Sequence, residues 1–186
     1  YMYFYKLQLA DSQWGLQGDF QYRDWQGLGE LEQLLRSGLT WTPKESESLF
    51  TVGYGNITSG VPGDSTETSS ENRIYQEALF PHKIGSRFYF AHRLRFEQRF
   101  VEGQDFRTRF RYNIFLNVPL NQPTMEPDAL YLALYNEIFL NGENDIGDGR
   151  SVDTFDRNRA YVGLGYVLNP KSKIQIGWMH QTTQNW

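Results

Sequence analysis

The chain has 186 residues, a formal net charge of -4 and no cysteine. That length is enough for one domain with a sizeable interior; disulfides, thiol nucleophiles and cysteine metal sites are excluded, and a net charge this mild does not on its own suggest a nucleic-acid binder. Aromatic residues reach 16%, yet no run approaches the roughly 18 apolar residues of a transmembrane helix, which excludes an all-helical membrane protein.

Taken in order, the chain is a succession of period-2 segments separated by turn chemistry, with no helical period. Ten strands are expected, at 1–9, 13–24, 30–42, 48–58, 73–82, 86–102, 105–120, 129–141, 157–168 and 172–184. The connectors carry the residues turns require: ADSQ, TPKESES, HKIGS, VEGQD, NQPTMEPD and NPKSK. Two are long and polar, SGVPGDSTETSSEN at 59–72 and NGENDIGDGRSVDTFD at 141–156. The expected fold is all-β, an antiparallel up-and-down meander forming a single domain over residues 1–186. The sequence begins at Tyr1 without an initiator Met and stops at Trp186 within a strand-like segment. We read it as part of a longer, processed chain, so the lack of a signal peptide does not argue for the cytoplasm.

The strands between 86 and 168 sort their residues most sharply. One face takes Phe88, Phe90, His92, Leu94, Phe96, Gln98 and Phe100, then Phe106, Phe110, Tyr112, Ile114, Leu116 and Val118. It continues with Leu130, Leu132, Leu134, Ile138 and Leu140, then Ala160, Val162, Leu164, Tyr166 and Leu168, none of them charged. The opposite face takes Arg87, Arg93, Arg95, Glu97, Arg99, Asp105, Arg107, Arg109, Arg111, Glu137, Arg157 and Arg159. Period-2 sorting does not by itself say which face is wet. In a soluble lipocalin-like barrel the apolar face is the interior; in a membrane barrel it meets lipid and the arginines fill the lumen.

Three features favour the membrane. Gly53, Gly55, Gly163 and Gly165 share the charged face, where they leave room for long side chains arriving across a narrow lumen. Acids and bases share that face too, so a network can neutralise itself. The fourth and eighth connectors are the long ones, matching short periplasmic turns and longer outside loops. A lipid-facing Arg at mid-membrane costs about 2–4 kcal/mol, a penalty that lipid enforces and water does not. On this reading residues 1–9 run toward the periplasm and need a strand before them, as the last segment needs one after it. Ten strands then become twelve, an even number as in bacterial barrels.

Four blocks carry a family resemblance: HRLRFEQRF (92–100), RTRFRYNIFLNVPL (107–120), LYLALYNEIFLN (130–141) and FDRNRAYVGLGYVLNPKSKIQIGWMHQ (155–181). With them the sequence resembles the bacterial family called domain of unknown function 2490, strongly in its C-terminal half and more loosely at WGLQGDFQYRDW (14–25). The resemblance implies a barrel-like protein of the bacterial outer membrane, in a family common in Bacteroidetes and related phyla. It implies no catalytic residue and no ligand.

Candidate chemistry is sparse. His82, His92 and His180 are the histidines, with Ser86 near His82 and Thr108 a possible neighbour of His92. An outer-membrane lipid hydrolase would need a hydroxyl beside such a base and a third group to orient it; packing histidines are the plainer reading. Glu143, Asp145, Asp148, Asp153 and Asp156 could offer oxygens to calcium, but Ile146 breaks the EF-hand pattern and no Glu closes the loop, leaving a solvated connector. The NIT at 56–58 spells a sequon that carries no weight in a bacterial strand. Tyr1, Tyr3, Tyr5, Trp14, Tyr22, Trp25, Trp41, Trp178 and Trp186 fall near strand ends and suit interface girdles.

The expected site is therefore a lumen charge network of Arg93, Arg95, Glu97, Arg99, Arg107, Arg109, Arg111, Glu137, Arg157 and Arg159, with Asp19, Glu32 and Glu77 as further acids. Phe88, Phe90, Leu94, Phe96, Phe110, Ile114, Leu132, Leu134, Val162 and Leu164 are expected to face lipid. A lumen so lined is either an attractor of anions, as in anion pores, or a self-neutralised plug, which a narrow barrel favours. The expected role is a structural or accessory component of an outer-membrane assembly. The alternatives are a narrow channel for small anionic solutes, a lipid hydrolase and a soluble lipocalin-like barrel. No cofactor, metal or nucleic acid is expected; the expected partners are the bilayer and other outer-membrane proteins.

Overall fold

A computed structural model describes residues 2–25, 30–60, 68–170 and 172–183, with side chains for all of these except residues 2, 23–25 and 30–32. The expectations for Tyr1, Trp186, the side chains of Trp25 and Glu32, and the middle of the 59–72 connector lie outside the described residues. Ten strands form: β1 (Met2–Gln8), β2 (Trp14–Trp25), β3 (Glu30–Trp41), β4 (Leu49–Gly60), β5 (Thr68–Ile84), β6 (Phe88–Val101), β7 (Arg107–Pro119), β8 (Leu130–Asn141), β9 (Phe155–Asn169) and β10 (Ser172–Thr183). They make one sheet in strict chain order, the up-and-down meander expected. No helix long and apolar enough to cross a membrane occurs among the described residues.

Period 2 is decisive because alternate side chains must leave a strand on opposite faces. The largest departure is β5, which starts at Thr68 rather than at residue 73. The Ser/Thr-rich start reads as a loop by propensity, but Ser70 O accepts from the Glu102 N–H at 2.9 Å, and the Ser70 N–H donates to the Glu102 carboxylate at 3.2 Å. Pairing decides the state of such a stretch more than intrinsic preference does. Tight turns sit at Gly85 and Gly103, whose φ values of 59° and 69° lie in the left-handed region that glycine enters at least cost.

The chain packs as two compact units. One comprises Tyr1–Ala78, Arg95–Phe110 and Asn141–Thr154; the other comprises Leu79–Leu94, Arg111–Leu140 and Phe155–Trp186. In the first, antiparallel register sets Asp19 opposite Arg36, and Arg36 opposite Gly55. Gly38 faces Gly53 two residues along. A Cβ at Gly53 would overlap the Tyr75 ring, and one at Gly55 would come within 2.9 Å of Arg36 Cγ. In the second unit, Tyr131 lies opposite Gly165 and covers it, while Tyr161 fills the space over Gly163 and Gly177. These glycines do make room for long side chains, but the occupants come from neighbouring strands or from the same strand, not from a facing wall.

Classical core is scarce. One small apolar cluster, Ala129, Tyr131, Ala133 and Val167, packs with Met125 and Tyr161 in the second unit. Elsewhere the buried face is largely polar. Met125, on the connector after β7, donates its N–H to the Tyr89 hydroxyl at 3.3 Å and so ties that connector to β6.

Candidate functional site

Charged side chains fill the buried face, and large apolar ones cover the exposed face. Along β6 and β7 the alternation is direct: Arg95, Glu97, Arg99, Arg107, Arg109, Arg111 and Asn113 are buried, while Leu94, Phe100, Phe110 and Tyr112 are exposed. Glu97 is 1% exposed and Leu94, three residues away, is 50% exposed. Transferring an ionised group from water is costly unless it is paired and hydrogen-bonded, so the next question is where each charge goes.

In the first unit the charges form a chain of pairs. Asp19 accepts from Arg36 Nε and Nη2 at 2.9 and 3.0 Å, the two-pronged geometry a guanidinium and a carboxylate prefer. Gln21 donates to the same carboxylate at 2.5 Å. Glu71 is shared by Arg73 and Arg99, each giving two hydrogen bonds of 2.5–3.0 Å. Arg95 donates to Glu77 at 2.7 Å, lies 3.7 Å from Glu97, and stacks 4.6 Å from the Tyr75 ring centroid. Glu97 takes Arg109 through Nε and Nη2 at 2.9 and 2.6 Å. Arg107 is buried on the same face at the start of β7.

A second cluster belongs to the other unit. Glu137, 3% exposed, accepts from Arg93 at 2.9 Å and from Arg111 at 3.0 and 2.6 Å. Arg111, Arg159 and Arg157 converge on the buried Phe139 ring, with guanidinium carbons 4.4, 5.0 and 5.7 Å from its centroid. Arg157 pairs with Asp156 at 3.1 Å, and Arg159 donates to Gln181 at 2.7 Å.

Of the ten residues expected in the charge network, Arg95, Glu97, Arg99, Arg107, Arg109, Arg111 and Glu137 are buried, and Arg93, Arg157 and Arg159 are half-buried. Asp105 and Arg87 are expected on that wall too. Both are exposed, Asp105 in the β6–β7 connector and Arg87 in the β5–β6 turn. Glu71 and Arg73 lie outside the expected network because the start of β5 reads as loop; the odd-numbered run through Tyr75 and Glu77 is the signal that points to them. Of the residues assigned to the apolar face, Phe88, Leu94, Phe110, Val162 and Leu164 are exposed. Phe90, Phe96, Ile114, Leu132 and Leu134 are half-buried among their neighbours, Phe96 with its ring 4.8 Å from Phe110.

The histidines sit on the exposed face. His82 stacks on Phe90 and on His92, with centroids 5.3 and 4.9 Å apart, and His92 Nδ1 lies 2.7 Å from the Tyr112 hydroxyl. Thr108 instead donates its hydroxyl to Glu143 at 2.8 Å. His180 lies 3.2 Å from Thr182 on its own strand and stacks on Trp178. Ser86 lies in the exposed β5–β6 turn.

The 141–156 connector is more ordered than a solvated loop. Ile146 and Val152 are buried, Asp105 N–H donates to Ile146 O at 3.0 Å, and the Arg150 guanidinium donates to Gly103 O. It is thereby clamped to the β6–β7 turn. No group of three or more metal-ligating His, Cys, Asp or Glu occurs among the described residues.

Comparison with known proteins adds kinship without function. A family described as "Protein of unknown function (DUF2490)" matches residues 1–186. An uncharacterized protein of Methylorubrum extorquens is 30% identical over 189 residues, covering 96% of this chain and 78% of that protein. No solved structure matches.

Proposed function

We propose, starting from a chain that belongs to the DUF2490 family of proteins of unknown function, that it is an integral β-barrel of the bacterial outer membrane. Its lumen is filled by side chains, and its role is that of a structural or accessory component of an outer-membrane assembly. The observation that carries this reading is the reversal of the usual polarity: paired arginines and glutamates are buried while leucines, phenylalanines and valines are exposed. Water offers no reason to keep so continuous an apolar surface uncovered; a bilayer requires it. A soluble lipocalin-like barrel needs apolar side chains on the face that here holds Glu97, Arg99, Arg109 and Glu137.

A sheet in hydrocarbon must close on itself, because an unpaired edge leaves backbone groups unsatisfied. The end strands β1 and β10 each have one neighbour in the strand order, and every residue of β10 is exposed. We therefore take the ten strands as part of a closed barrel of twelve. Fractionation tests the reading: the protein is expected with outer membranes, migrating differently on gels before and after heating. Recovery in the soluble fraction sinks it. A second reading, a narrow channel for small anions, is favoured by the gathering of four arginines around Glu137 and Phe139. Planar-bilayer recording separates the two, since a plug gives no steady conductance and an anion channel gives anion-selective current.

A further inference from the structure

The guanidiniums gathered around Glu137 and Phe139 from β6, β7 and β9 outnumber the carboxylates beside them, and we infer that this wall binds a small oxyanion at Arg159. The placement follows from register. Leu120 N–H donates to Leu130 O at 2.8 Å. Counting back along the β7–β8 hairpin from that bond sets Arg111 opposite Phe139, in agreement with their stacking at 4.4 Å. Glu137 then faces Arg159, and Arg159 faces Gln181; Phe139 faces Arg157, and Arg157 faces Thr183. A row of rings flanks them. Phe115 and Tyr135 lie 5.7 Å apart, Tyr135 and Tyr161 5.0 Å apart, and the Tyr135 hydroxyl is 3.0 Å from Met179 sulfur.

Within this cluster four guanidiniums, of Arg93, Arg111, Arg157 and Arg159, meet the two carboxylates of Glu137 and Asp156. Glu137 is engaged by Arg93 and Arg111, and Asp156 by Arg157. Arg159 hydrogen-bonds the neutral Gln181 amide and stacks on the Phe139 ring; Glu137 attracts it through space but forms no ion pair with it among the described residues. Three guanidiniums around one ring repel each other, most strongly where water is thin. An anion offering two acceptor oxygens answers both needs, because it fits the fork of Arg159 and offsets the surplus charge. Gln181 and Thr183, opposite Arg159 and Arg157, are neutral, so β10 adds no charge there to offset the guanidiniums. The ligand class is an oxyanion, either free phosphate or a carboxylate borne by a small solute.

The test is thermal unfolding and titration calorimetry on the detergent-solubilised chain at constant ionic strength, with sodium phosphate, acetate or chloride. Saturable stabilisation by phosphate or acetate over chloride is expected, and which of the two acts tells free phosphate from carboxylate. Arg159→Gln is expected to weaken binding by at least about tenfold, the loss of one charge-assisted contact. Gln181→Glu supplies the missing carboxylate internally, so it is expected to raise the midpoint without added anion and to abolish the response. It also decides the matter if Arg159→Gln does not fold. Arg150→Gln, at an exposed arginine of the β8–β9 connector, is expected to respond like the parent. The inference is overturned if the parent shows no saturable response beyond chloride, or if Gln181→Glu responds as the parent does. Membrane fractionation is read separately, and a protein recovered as soluble is titrated in the same way without detergent.

Discussion

Replacing Glu97 by Gln is the sharpest probe of the buried pairs. Glu97 is 1% exposed and holds Arg109, itself 3% exposed, through two hydrogen bonds of 2.9 and 2.6 Å. The substitution keeps the volume and one acceptor oxygen but removes the charge, leaving the Arg109 guanidinium without its carboxylate. Deleting one partner of a buried pair typically costs about 3–5 kcal/mol, because the survivor remains desolvated. Arg95, 3.7 Å from Glu97, keeps Glu77 at 2.7 Å, so the damage centres on Arg109. Urea unfolding of the micelle-folded protein, followed by tryptophan fluorescence, reads the change. The double variant Glu97→Leu with Arg109→Met removes both charges and is expected within about 2 kcal/mol of the parent, since apolar replacement of a buried pair is often neutral. A loss below about 1 kcal/mol for Glu97→Gln is the range of a solvated surface pair and would refute the burial reasoning.

Leu94→Arg and Leu164→Arg place a charge on the exposed apolar face; each is expected to cost about 2–4 kcal/mol for folding into vesicles, while an unchanged yield would contradict the lipid assignment. Gly165→Val drives methyl groups into the Tyr131 ring and is expected to destabilise by about 1–3 kcal/mol. In Tyr131→Ala the same substitution should cost less, and an equal loss in both backgrounds would show that the ring is not the obstacle. Glu143→Ala removes the carboxylate that Thr108 donates to, and is expected to speed proteolysis within residues 142–154 with little change in the global unfolding midpoint.

The strand pattern was legible because both faces carry strong and opposite signals. In β6, arginines at 93, 95 and 99 alternate with Leu94, Phe96 and Phe100, and a one-residue slip would put every one of them in the wrong medium. Which face is buried was not legible from period 2, since a soluble barrel and a membrane barrel share the alternation; it took the burial of Glu97 against the exposure of Leu94. Strand ends were harder. Thr68 to Glu71 join β5 with partners elsewhere in the chain: Glu102 of the β6–β7 turn bonds Ser70, and Arg99 of β6 bonds Glu71.

Pairing within the buried face lay further still from the sequence, because it depends on register. Nothing in the order of residues says that Glu71 serves both Arg73, two residues along its own strand, and Arg99 on the next one. The glycines show the same limit. Gly53 and Gly165 were readable as room on the charged face, but only register names Tyr75 and Tyr131 as the occupants. A tyrosine laid over a glycine on the neighbouring strand buries both ring and backbone without adding height to the wall. Over Gly53 the Tyr75 ring leaves room for a long charged group as well, since the Arg95 guanidinium stacks 4.6 Å from its centroid. At Tyr131 the neighbours are apolar instead, so Gly165→Val strikes first at that ring and through it at Ala129, Ala133 and Val167.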